Sequence, residues 1–205
     1  MPNWVQTLAS ITGDEQEINK FLTASTVKDE NGNEMLNIIP SLVPCPKELK
    51  ILSGGMSKDA PEYETWLKQK EDNLAKFGYT DWYEWEYDTW GTKWGDCDTN
   101  IIDRAEGNLL LQFTTAWGPA DKAWLAISKL FPTLSFQFDY DEEAGFFCGY
   151  HVIRDGSIIF EAMFIPCDNP FHWEEQEEEH ENWKETEQDK IDALLLKFWA
   201  EEMKK

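Results

Sequence analysis

Positive charge is in short supply in this sequence: 18 Lys and Arg stand against 40 Asp and Glu in 205 residues, a formal net charge of −22. A field of that sign repels phosphate backbones and anionic membranes, which argues against direct nucleic-acid binding and lipid-surface binding. A basic protein partner is the natural alternative. Cysteine is scarce and scattered. Cys45, Cys97, Cys148 and Cys167 form no Cys-x-x-Cys pair, so reduced thiols are expected in place of a disulfide framework or a metal knuckle. No apolar run approaches the roughly 20 residues of a membrane span. Met1-Pro2-Asn3-Trp4 offers neither the basic region nor the apolar core of a signal peptide, and the expected location is the cytoplasm. Gly-x-Ser-x-Gly, a phosphate-binding loop and Gly-x-Gly-x-x-Gly are also missing, so no local catalytic signature points to an enzyme.

Aromatic area, by contrast, is abundant. With 11 Trp, 12 Phe and 6 Tyr, the chain has far too much ring surface to remain unfolded in water despite its charge. Its length suits one domain over residues 1–205. Residues 4–11 read as a strand, and Thr12-Gly13-Asp14-Glu15 as a capping box for a helix with Ile18, Phe21 and Leu22 on one face. An insertion over about 24–95 follows. In it, residues 35–39 read as a short strand, and Pro40, Pro44 and Pro46 mark an irregular connection. Next comes a helix opened by Pro61, carrying Tyr63, Trp66, Leu67, Leu74 and Phe77 and stopped by Gly78; a second, capped by Thr80, bears Trp82, Tyr83, Trp85 and Tyr87.

Residues 97–103 and the alternating Leu109, Leu111, Phe113, Thr115 and Trp117 read as a hairpin. Pro119 opens a helix with Ala120, Ala123, Trp124, Ile127, Leu130 and Phe131 in one stripe, followed by a strand in which Leu134, Phe136, Phe138 and Tyr140 alternate with polar residues. Without the insertion the order is βαββαβ, a ferredoxin-like α+β core. Asp155-Gly156 adds a hairpin over 146–164 through a type I′ turn. An acidic segment and a C-terminal helix over 171–205 complete the chain, the helix capped at Thr186 and docking through Ile191, Leu194, Leu195 and Phe198.

Four groups of residues invite a functional reading. Trp82, Trp85, Trp90, Thr92, Lys93 and Trp94 could form an aromatic wall with one cation, suited to a planar anionic ligand of nucleotide type; the alternative is that they are core. Asp139, Asp141, Glu142 and Glu143, with Glu174, Glu175, Glu177, Glu178 and Glu179, could present carboxylates to a basic host protein, as a mimic of DNA would. The first four could instead hold magnesium for phosphodiester chemistry, although little in the chain would attract an anionic substrate. Cys148 and His151 with Cys167 and His172 superficially offer four zinc ligands. Positions 148 and 151 point to opposite faces of a strand, so His151 is expected as a satisfied core histidine and no metal or cofactor is expected. Cys97, between Asp96 and Asp98, should have a disfavoured thiolate.

Several strings resemble a family of uncharacterised phage- and plasmid-borne proteins, the YubB-like family with a ferredoxin-like domain. They are Met1-Pro2-Asn3-Trp4, Ile38-Ile39-Pro40, Pro44-x-Pro46, Glu48-Leu49, Trp82-x-x-Trp85, Phe113-Thr114-Thr115-Ala116-Trp117 and Leu130-Phe131-Pro132, and most specifically Trp90-Gly91-Thr92-Lys93-Trp94. Val5, Thr89 and Gly95 depart from the family's pattern. The resemblance implies the fold and a mobile-element origin, with no reaction or cofactor to carry across. Charge, missing catalytic motifs and resemblance together point to a non-enzymatic counter-defence protein that inhibits a host defence or nucleic-acid-handling factor. The alternatives are sequestration of a nucleotide-type signal by the tryptophans, and a metal-dependent phosphodiester enzyme.

Overall fold

Val5, Thr7, Ala9 and Ile11 alternate with more exposed neighbours, so β1 (Trp4–Thr12) has one buried face. In the computed structural model of the protein, which describes residues 2–164 and 177–204, β1 lies inside a six-stranded sheet. Asp14, not Thr12, caps α1 (Glu15–Ser25) by accepting from the Gln16 N–H, because Thr12 still belongs to β1. A small hairpin, β2 (Thr26–Lys28) and β3 (Glu34–Leu36), leads to α2 (Ile38–Leu42). The strand expected over 35–39 therefore ends at Leu36, and Pro40 sits in a first helical turn, where no intrahelical N–H is required. A 3₁₀ turn (Lys47–Leu49), α3 (Tyr63–Phe77) and α4 (Trp82–Trp90) complete the insertion.

The remaining elements are β4 (Cys97–Ala105), β5 (Asn108–Ala116), α5 (Asp121–Leu130), β6 (Ser135–Glu142), β7 (Cys148–Arg154), β8 (Ser157–Phe164) and α6 (Glu177–Glu202). The sheet runs β4-β5-β1-β6-β7-β8 with every pair antiparallel. β1-α1-β4-β5-α5-β6 is the ferredoxin-like unit, and the β7–β8 hairpin extends it beyond β6. Asp155 and Gly156 both have positive φ, 45° and 71°, as a type I′ turn requires. Trp124 of α5 centres the core, its ring 4.8 Å from that of Phe138 and 5.5 Å from that of Phe113.

Helical spacing places the body of α3 but not its start or its burial: the helix begins at Tyr63, so Pro61 lies before the Glu62 cap and outside the first turn. Leu67 and Leu74 are exposed, and the helix is anchored instead by buried Asn73, whose Nδ2 donates to the Glu48 and Thr80 carbonyls at 2.9 and 3.1 Å. Asp81 rather than Thr80 caps α4, while also pairing with Lys70 at 3.1 Å. Trp117 leaves the β5 alternation, since the strand ends at Ala116 and Trp117 adopts φ 67°. α5 starts at Asp121, and Leu130 at its end is exposed. α6 already begins at Glu177, so Thr186 lies inside the helix; Ile191 is buried and Phe198 packs on Phe160 at 5.0 Å, whereas Leu194 is exposed. No helix among the described residues is long and apolar enough to cross a membrane.

Candidate functional site

The start of α2 is bound to the segment that follows α4, and the end of α2 to α4 itself, by side chains distant in sequence. Buried Asp96 accepts from the backbone N–H groups of Ile38 and Ile39 at 3.0 and 2.6 Å, capping a helix whose own Asn37 supplies no side-chain cap. The Thr99 hydroxyl donates to Asp96 Oδ2 at 2.7 Å. Trp90, almost fully buried at the end of α4, donates its indole N–H to the Val43 carbonyl at 2.8 Å. Gly95, at φ 75°, passes so close to Pro40 that a Cβ would lie 3.0 Å from its Cδ.

These ties frame a cleft of about 480 Å³ lined by Asn37, Pro40, Lys50, Ile51, Trp82, Glu86, Trp90 and Trp94. Glu86 is buried, and loss of water pushes its carboxyl up to about 7, partly opposed by the charge of Lys50. Near neutral pH it can therefore both donate and accept hydrogen bonds. Burial, with the charge of Glu86 adding to it, also raises the Cys45 thiol to about 11, so that thiol is not a ready nucleophile. Rings, an amide, a weak acid and a cation thus line one open cleft.

The structure divides the expected aromatic site. Trp82, Trp90 and Trp94 reach the cleft, whereas Trp85 sits edge-on to Trp90 with centroids 5.7 Å apart. Thr92 is wholly buried; its hydroxyl donates to the Ala116 carbonyl at 2.9 Å and accepts from the Ala116 N–H at 3.0 Å, tying α4 to the end of β5. Lys93 is not in the cleft lining: its Nζ lies 4.4 Å from the Trp94 ring centroid and 5.2 Å from those of Tyr83 and Trp117. The cleft's cation is Lys50, from outside the tryptophan segment. Glu86 was missed as well, although Trp82, Glu86 and Trp90 follow at four-residue steps that share one helix face.

The expected acidic surface is divided too. Glu142 is buried, and its Oε2 accepts from the Ala144 and Phe146 N–H groups at 3.1 and 2.9 Å, closing the turn after β6 instead of facing a partner. Glu143 accepts from the Trp4 N–H at 2.9 Å. Asp139 shares a face of β6 with Asp141, and its carboxyl is raised by loss of water, then by the charges of Asp192 on α6 and of Asp141. Glu174 and Glu175 lie outside the described residues, as do the side chains of Glu177, Glu178 and Glu179.

His151 is fully buried, as expected of a core histidine, but its partners are polar. Nε2 lies 2.9 Å from Tyr140 Oη and 3.3 Å from Glu161, and Nδ1 lies 2.9 Å from Asp121. Burial, with Asp121 and Glu161 contributing, holds the Tyr140 hydroxyl above its ordinary range. Cys167 and His172 lie outside the described residues. Among those described, no three His, Cys, Asp or Glu side chains are grouped to hold a metal. The Cys97 thiol is raised by burial and by the charges of Asp96 and Asp98.

Comparison with known proteins adds the following. No curated protein matches this chain. A crystal structure of protein api92 from Yersinia pseudotuberculosis is similar at 10% sequence identity and a TM-score of 0.47, over 83% of this chain and 100% of that one. Residues 89–188, from the last turn of α4 through the β7–β8 hairpin and into α6, match the family described as the ferredoxin-like domain in Api92-like protein.

Proposed function

We propose that this protein binds a planar, nucleotide-type small molecule in the cleft between α2 and α4 and sequesters it without transforming it. The observation that carries this reading is the buried Glu86, raised to about 7, in a cleft with Trp82, Trp94 and Lys50. A heterocycle stacked on indole gains about 1–3 kcal/mol per base. Glu86 and Asn37 would address its polar edge, and Lys50 would meet an attached phosphate. Sequestration of a nucleotide signal would suit a cytoplasmic protein of phage or plasmid origin, the origin suggested by the Trp90-Gly91-Thr92-Lys93-Trp94 string. Intrinsic tryptophan fluorescence, titrated with a panel of nucleotides, tests the reading. Saturable quenching that is lost in Trp82→Leu supports it; an unchanged spectrum across the panel removes it.

A second reading keeps the acidic surface as the working face: a non-enzymatic accessory protein that inhibits a basic host factor involved in defence or nucleic-acid handling. The −22 charge favours it, as does the exposure of Asp98, Asp103 and Glu106 along β4 and its turn. Binding of that kind should weaken steeply as salt rises, because exposed charges are screened beyond about 8 Å at physiological ionic strength.

A further inference from the structure

α4 lines a second cleft with different residues. Trp82, Glu86 and Trp90 serve the first, whereas Tyr83, Glu84, Tyr87 and Asp88 line a cavity of about 440 Å³ completed by Gly78 and Tyr79. Two interleaved four-residue steps produce it. Tyr79, Tyr83 and Tyr87 supply rings, and Glu84 and Asp88 supply carboxylates one helical turn apart. Gly78, in the left-handed conformation at φ 80°, ends α3 and turns the chain so that Tyr79 comes back against α4.

The wall is built for a cation. The Tyr79 hydroxyl donates to Asp88 at 3.3 Å and is raised by loss of water and by the charges of Asp88 and Glu84, so it remains a donor. Neither Glu84 nor Asp88 has a Lys or Arg partner among the described residues. Lys93 Nζ, which does not line this cavity, lies 5.2 Å from the Tyr83 centroid, so Tyr79 and Tyr87 are the rings left for an incoming cation. Tyr87 is half exposed, so the rings are open to an incoming group.

We propose that this second cleft binds the guanidinium group of an arginine side chain presented by a basic protein partner. A guanidinium is flat enough to stack on a tyrosine ring and carries a fork of donors that meets carboxylates two at a time. An ammonium is a more strongly hydrated point charge and uses the same wall less well. The inference deepens the second reading above by giving the basic partner a point of recognition, and it is independent of what occupies the tryptophan cleft.

The test is an NMR titration of the full chain with N-acetylarginine amide, with N-acetyllysine amide as comparator. Amide shifts should centre on Gly78–Asp88, and arginine should bind about two- to fivefold more tightly than lysine. Tyr87→Leu and the double variant Glu84→Gln with Asp88→Asn should each weaken arginine binding by a similar factor while leaving shifts elsewhere unchanged. Absence of localised shifts, equal response to lysine, or undiminished binding in both variants would overturn the proposal. Because the probe is a single residue, these outcomes are separate from failure of the acidic-surface reading, which would appear as salt-insensitive binding of a basic protein.

Discussion

Asp96 accepts a hydrogen bond from the backbone N–H of Ile39 at 2.6 Å across 57 residues of sequence. With the Ile38 N–H at 3.0 Å, this carboxylate caps a five-residue helix that could not be stable alone, and so fixes one wall of the tryptophan cleft. Hydrogen bonds to a buried charged group contribute about 1.5–3 kcal/mol. Asp96→Ala should lower stability by that amount in urea unfolding. A change within about 0.5 kcal/mol, the range of ordinary surface substitutions, would show that α2 holds its place without the cap.

Gly95, against α2, and Gly78, at the end of α3, make a matched pair. Both are left-handed, at φ 75° and 80°, but a Cβ at Gly95 would meet Pro40 at 3.0 Å while one at Gly78 would meet nothing within 4 Å. Each Ala variant pays the left-handed penalty of about 1–2 kcal/mol. Gly95→Ala should cost more than Gly78→Ala, and the difference measures how closely α2 approaches. Equal costs would mean Pro40 yields freely.

Much of this architecture is legible in the sequence. The alternation in β1, β5 and β6, the Asp155-Gly156 turn and the Gly78 stop are local signals, and each is where its chemistry requires. The site is less legible because burial is decided by contacts between segments. Trp90 and Trp94 stand four residues apart, yet one is core and the other 38% exposed, since Gly91 ends α4 between them. Leu67 and Leu74 keep helical period without a covering partner, which no pattern within α3 reveals. Lys50 reaches the cleft from outside the tryptophan string, so only the fold brings it there.

Glu86 sets a pH dependence with a definite sign. Its carboxyl moves from 4.5 to about 7 on folding, so the folded protein binds the extra proton, and that stability is complete below pH 4.5 and lost as pH rises through about 7. Glu86→Gln should remove this loss. Urea midpoints at pH 5 and pH 8 should therefore differ less in the variant than in the native protein; an identical difference in both would place the ionisation elsewhere.

The Tyr140–His151 contact predicts a core penalty with no effect on either cleft. Both groups are buried and 2.9 Å apart, and His151 also faces Asp121 and Glu161. Tyr140→Phe should cost about 1–3 kcal/mol, the usual penalty for leaving a buried polar group with poorer partners. Thermal unfolding gives the number, and a stability equal to the native protein's would show that Glu161 satisfies the imidazole Nε2 without Tyr140.

Lys93 and Lys50 separate the two ways of reading the tryptophan segment. Lys93 lies among the Tyr83, Trp94 and Trp117 rings, whereas Lys50 lines the cleft. Lys93→Met should cost stability of about 0.5–1 kcal/mol, the value of exposed cation–π contacts, without reducing ligand affinity. Lys50→Met should reduce affinity for phosphorylated ligands and spare the unphosphorylated nucleosides. The reverse pattern would return the cation's role to Lys93.

The most direct measurement is isothermal titration calorimetry of the native protein, Trp82→Leu and Glu86→Gln with the ribonucleoside monophosphates and their nucleosides. One-to-one binding of at least one nucleotide, weakened about fivefold or more by Trp82→Leu and also reduced by Glu86→Gln, is the predicted result. No binding by any of them, or binding indifferent to both substitutions, would contradict a nucleotide site between α2 and α4.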